Sequence, residues 1–152
     1  MQVQDIMVRD VKSCRQDANL ALATELLWKN DCGALPVLDN GDKVIGMITD
    51  RDICIAVGTR NRIPSEIPIS EVIPQKIFTT APKEDIHAAL RTMQEQKVRR
   101  LPVTDRDGKL QGILCLNDIA LNANRSNALS YEDVAQTLAA ICEHRLRQAV
   151  AA

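Results

Sequence analysis

The sequence predicts an α/β fold of the α+β kind: two β-α-β-β-α units packed about a pseudo-twofold axis, followed by one C-terminal helix. Three observations carry that expectation. The chain repeats itself at a fixed offset, and each copy runs through the same succession of extended and helical apolar patterns. A last amphipathic stretch has no counterpart in either copy.

Leu35-Pro36-Val37 superposes on Leu101-Pro102-Val103, an offset of 66 positions (101 − 35). Without a gap, the same offset lays Asp39 on Asp105, Lys43 on Lys109, Gly46 on Gly112 and Asp52-Ile53 on Asp118-Ile119. Backwards it reaches Asp5-Ile6-Met7 over Glu71-Val72-Ile73, Val11 over Ile77 and Ala23 over Ala89. A register held this long divides the chain into a first repeat over residues 1–59 and a turn-rich linker over 60–68. A second repeat follows over 69–124, then a C-terminal helix over 128–152.

Each repeat opens with a short extended piece, Val11 to Cys14 and Ile77 to Thr80. Asn19 and Asp85 stand at equivalent positions with side chains that cap helix N-termini. Behind them Leu20, Ala23 and Leu27, and Ile86, Ala89, Leu90 and Met93, recur at helical spacing. Gly33 is the expected stop of the first helix, with Arg99 in its place in the second copy. Paired apolar runs then flank Asp39-Asn40-Gly41-Asp42 and Asp105-Arg106-Asp107-Gly108, which have hairpin-turn composition. A second helix follows from about Asp50 to Val57 and from about Leu116 to Ala123. A unit this small leaves a sheet face uncovered, which a second copy closes.

Met7 and Met47 read as packing residues, Trp28 as core or interface, and His87 as exposed. In the last stretch Ser130 and Asp133 have capping-box spacing. Val134, Leu138, Ile141, Cys142, Leu146 and Val150 trace one apolar stripe, and Arg145 and Arg147 suit the negative end of a helix dipole. Such a helix either folds back on its own chain or enters a dimer interface.

Composition narrows the function. The chain is 45% hydrophobic but holds one Trp, one Tyr and one Phe, and its net charge is −1. Neither stacking platforms nor a basic face for nucleic acid are available. No apolar run approaches the roughly 18 residues of a membrane span, and the start has no basic-then-apolar leader, so a cytoplasmic protein is expected. The five cysteines are scattered without a C-x-x-C, and the only histidines are His87 and His144, so reduced thiols rather than disulfides or a metal centre are expected. No phosphate-binding glycine loop and no nucleophile–base constellation point to an enzyme.

The two copies resemble a tandem pair of CBS domains, a Bateman module, over about residues 3 to 123. The resemblance is carried by Asp5-Ile6-Met7, Gly33 to Asp39 and Val44 to Ile53, and again by Val98 to Asp105 and Leu110 to Ile119. It implies a regulatory module that binds an adenine nucleotide (AMP, ADP or ATP) or S-adenosylmethionine in clefts between the repeats. It also implies a homodimer, a protein partner of unknown identity, no catalysis and no cofactor beyond that ligand. The C-terminal helix lies outside the resemblance.

Thr49-Asp50-Arg51-Asp52 stands at a strand-to-helix junction, where spacing alone reads as a capping box. The resemblance adds a second role for the same residues, with Thr49 on phosphate or ribose and Asp52 on the ribose diol. In the second copy Asp118 persists, but Cys115 replaces the hydroxyl and Leu116 replaces Asp50, which predicts unequal clefts. Each cleft of the family draws on both repeats. Asp52 is therefore expected to work with Thr79, Thr80 and the Val98-Arg99 edge, and Asp118 with Ser13, Cys14, Gly33 and Ala34. Arg99 and Arg100 are either solvent-facing or phosphate ligands. A competing expectation is a scaffold with unused clefts that acts through its C-terminal helix.

Overall fold

A computed structural model describes residues 1–74, 76–125 and 128–143. The first repeat contains β1 (Cys14–Arg15), α1 (Leu20–Lys29), β2 (Ala34–Leu38), β3 (Val44–Thr49) and α2 (Asp50–Arg60). The second contains α3 (Ile86–Gln96), β4 (Arg100–Thr104), β5 (Leu110–Cys115) and α4 (Leu116–Asn122), and α5 (Tyr131–Cys142) follows. β2 pairs antiparallel with β3, and β1 joins β2 in parallel. β4 pairs antiparallel with β5, while the counterpart of β1 is a single parallel bridge from Thr80 to Val103.

The expected caps form. Asn19 Oδ1 accepts from the Leu22 N–H, and Asp85 Oδ1 from the His87 N–H, each at 3.0 Å. The helix stops are not where a glycine was expected. α1 is turned out by Asp31 (φ 48°) and α3 by Lys97 (φ 55°), matching positions (97 − 31 = 66), and Gly33 lies beyond the turn. Asp tolerates the left-handed region through its short polar side chain, and Lys97 is held there by contacts described below.

Each core borrows its first residues from the other repeat. Val3 and Met7 pack among Ile86, Met93, Leu101 and Leu114, whereas Ile67 and Ile69 pack among Leu20, Leu35 and Ile48. The backbone follows the same exchange. The Val3 N–H donates to Glu84 O and the Ile86 N–H to Met1 O, while the Ile69 N–H donates to Ala18 O and the Leu20 N–H to Ile67 O. Offset 66 carries Val3 onto Ile69, so the exchange is reciprocal. Lys43 bridges Lys109, its own equivalent, which places the pseudo-twofold axis between the two hairpins. Where the N-terminal segment crosses β5, Val8 and Ile113 exchange N–H···O bonds at 2.9 Å in both directions. A Cβ on Gly112 would fall 2.7 Å from Val8 O, so this crossing needs glycine.

α5 folds back on its own chain. Val134 and Ile141 pack on the second core, and the fully buried Thr137 accepts from Gln94 Nε2 at 2.7 Å. At one end His87 Nε2 lies 3.8 Å from Asp133 Oδ2, and at the other Lys97 Nζ donates to the carboxylate and carbonyl of Glu143, both at 3.0 Å. Leu138 and Cys142 stay exposed, so only part of the expected stripe is covered. His144, Arg145, Leu146, Arg147 and Val150 fall outside the described residues. Trp28 is 86% exposed and is not a core residue; it lines a shallow surface depression with Ile53 and Cys54 of α2. His87 is half-buried rather than exposed, held between Asp85 and Asp133. No helix among the described residues is long and apolar enough to cross a membrane.

Candidate functional site

Thr49 ends β3 and caps α2 in one step, its extended backbone (φ −118°, ψ 161°) turning directly into the helix. Its Oγ1 accepts from the Asp52 N–H at 3.1 Å and donates to Asp52 Oδ2 at 2.6 Å, and the Thr49 N–H donates to the same oxygen at 2.9 Å. The reciprocal cap is thus real. It occupies only one carboxylate oxygen, since Asp52 Oδ1 takes part in none of these bonds.

Beside this cap lies a cleft of about 620 Å³ that both repeats build. Thr49, Asp52, Met47 and Ala34 come from the first repeat, and Lys76, Phe78, Lys97, Val98, Arg99 and Arg100 face them from the second. A second cleft of about 640 Å³ is its pseudo-symmetric mate. Here Cys115 and Asp118 face Val11, Lys12, Asp31, Gly33 and Ala34. Asp118 accepts from the Cys115 N–H at 2.8 Å, and the Cys115 sulfur takes the hydroxyl's place in the reciprocal cap. Burial, and after it the Asp118 charge, pushes the Cys115 thiol up to about 11, with the Arg100 guanidinium acting the other way. The thiol is protonated and neutral in ordinary buffers.

The sequence placed Thr49, Asp52, Val98 and Arg99 together, and likewise Asp118, Gly33 and Ala34, and the structure brings each set into one cleft. It does not bring Thr79 or Thr80 to Asp52, nor Ser13 or Cys14 to Asp118. Thr79 and Thr80 line a separate depression with Lys83 and Glu84. The reason is the parallel pairing that starts there. The Thr80 N–H donates to Pro102 O, its Oγ1 donates to Glu84, and the side chain is 4% exposed. Cys14 pairs with Val37 in the same way and points into the first core, where burial pushes its thiol up to about 11. The cleft walls come instead from the residues just before, Lys76 to Phe78 and Asp10 to Lys12, which are not yet paired. Lys97, just before Val98, and Asp31, two positions before Gly33, also line the clefts, although no motif in the sequence marks them.

Arg99 and Arg100 line both clefts, and neither forms an ion pair among the described residues. Arg100 lies against Gly33, where a Cβ would sit 3.3 Å from its Nη2, so the missing side chain makes room for the guanidinium. No three His, Cys, Asp or Glu side chains are grouped to hold a metal ion among the described residues.

A repeated unit, hairpins facing across a pseudo-twofold axis and two clefts shared between the copies define a tandem CBS pair. The chain belongs to the CBS domain family, whose profile matches residues 3–58 and 65–123. It is 32% identical over 120 residues to the CBS domain-containing protein YhcV of Bacillus subtilis, covering 79% of this chain and 84% of that protein. It is 31% identical over 139 residues to hypoxic response protein 1 of Mycobacterium tuberculosis, covering 91% and 92%. Among solved structures it resembles CBSX2 in complex with AMP, at 26% identity and a TM-score of 0.69 over 79% of this chain and 93% of that one.

Proposed function

We propose that this chain is a regulatory module that senses an adenosine ligand (AMP, ADP, ATP or S-adenosylmethionine), chiefly in the Asp52 cleft, and passes the change to a protein partner. One observation carries the reading. Asp52 uses only Oδ2 in capping and borders a cleft of about 620 Å³, inside the roughly 300–1,000 Å³ of small-molecule sites. Oδ1 supplies an acceptor for a ribose hydroxyl, Thr49 stands beside it, and Arg99 and Arg100 supply donors for phosphate. Support comes from CBSX2, a relative by fold and sequence that is in complex with AMP. Because each cleft is walled by both repeats, a ligand tightens one arrangement of the repeats over another, and sensing follows from that difference in affinity. A homodimer, a cytoplasmic location and the lack of catalysis belong to the same reading.

Isothermal titration with AMP tests it. Asp52→Ala removes the ribose acceptor and is expected to weaken binding at least tenfold, in line with about 1.5–3 kcal/mol for a charged hydrogen bond. The lost capping bond costs about 1 kcal/mol of stability and leaves the fold intact. An unchanged affinity would remove Asp52 from the site.

A further inference from the structure

We infer that the two clefts sort adenosine ligands by charge: the Asp52 cleft takes the phosphate-bearing nucleotide, and the Asp118 cleft takes a phosphate-free adenosyl compound, neutral or cationic. The inference rests on the adenosine reading above and adds to it the ligand class of each site. Its basis is a reversal of charge at two pseudo-equivalent positions. Lys76 and Lys97 border the first cleft, and Asp10 and Asp31 stand at the same two places in the second (76 − 10 = 66; 97 − 31 = 66).

The ionised side chains around the Asp52 cleft are therefore four cations, with Arg99 and Arg100, against Asp52 and Glu95. Glu143, which holds Lys97 from outside, still leaves that cleft cationic. Around the Asp118 cleft the balance is even: Lys12, Arg99 and Arg100 against Asp10, Asp31 and Asp118. Lys12 and Asp10 cancel each other there, Nζ lying 2.9 Å from Oδ1, which leaves Arg99 and Arg100 against Asp31 and Asp118. The two arginines border both clefts, so a phosphate in the first draws them away and leaves the second with an excess of carboxylates. A site of that sign repels a phosphate chain and favours a neutral or positively charged ligand. Cys115 adds to the difference, since its protonated thiol is a poorer partner for a phosphate oxygen than the Thr49 hydroxyl.

The chain itself supplies the test substitutions, because each residue type is already housed at the equivalent site. Asp31→Lys places at φ 48° a residue that Lys97 shows is accepted at φ 55°. Titrations with ATP and with S-adenosylmethionine are run on the parent chain, Asp52→Ala, Asp118→Ala and the double variant Asp10→Lys/Asp31→Lys, with circular dichroism confirming that each is folded. The parent chain is expected to bind one ATP, weakened at least tenfold by Asp52→Ala and unmoved by Asp118→Ala. S-adenosylmethionine should show the opposite dependence. The double lysine variant should bind a second ATP and lose at least tenfold in S-adenosylmethionine affinity. Two equal ATP sites in the parent chain, or a double variant with unchanged stoichiometry and affinities, would overturn the sorting and leave the adenosine reading standing. No binding of either compound to the folded parent chain would overturn both.

Discussion

Position 115 carries a thiol where position 49 carries a hydroxyl, and that difference weakens the second of the two helix starts. Thr49 Oγ1 donates to Asp52 at 2.6 Å, whereas at Asp118 a thiol, the weaker hydrogen-bonding group, stands in for that hydroxyl beside the Cys115 N–H. Cys115→Thr is expected to strengthen the reciprocal cap by putting a hydroxyl in place of the thiol, and to stabilise the protein by about 0.5–1 kcal/mol, seen as a higher urea midpoint at constant slope. A midpoint that stays or falls would mean that the half-buried site cannot seat the hydroxyl. Residue-scale chemistry of this kind was legible in the sequence, because a cap depends on neighbours three positions apart. Lys76, Phe78 and Asp10 were not legible. Which residues of an extended piece face a cleft depends on where strand pairing begins, and that is set at Thr80 and Cys14 by partners far along the chain.

At the scale of elements, α5 shows how far an apolar stripe can be trusted. Val134 and Ile141 pack as their spacing implied, yet the deepest residue of the helix is Thr137, outside the stripe, and Leu138 is 44% exposed. A buried hydroxyl is tolerated because Gln94 donates to it. The same reasoning explains why the pattern hid it, since neither polar residue announces its partner. Thr137→Val leaves the Gln94 amide without that acceptor and is expected to cost about 1 kcal/mol. In a double-mutant cycle with Gln94→Ala, equilibrium denaturation should give a coupling of about 0.5–1 kcal/mol. A coupling of zero would show that the contact does not hold α5 in place. Gln94 is also the pseudo-equivalent of Trp28 (94 − 28 = 66), so the helix face that α5 covers in the second repeat is bare in the first.

For the whole molecule, the pseudo-twofold was legible and the exchange of segments across it was not. Val3 maps onto Ile69 whether each packs at home or abroad, so a repeat register cannot distinguish the two arrangements. Sterics and hydrogen bonds decide it, through the Val8 crossing over Gly112 and the paired bonds of Val3 with Glu84 and of Ile69 with Ala18. The exchange ties each core to the other repeat's leading segment, and the clefts lie where the two halves meet. A ligand seated there contacts both, which is what a sensor requires. A thermal-shift series with adenosine, AMP, ATP, S-adenosylmethionine and free ribose tests this account most directly. At about one hundred times the dissociation constant, binding adds ~2.7 kcal/mol, so an adenine nucleotide should raise the melting temperature by roughly 5–10 °C while ribose leaves it unchanged. A melting temperature that no adenosine compound moves would contradict the account and favour a scaffold with unused clefts.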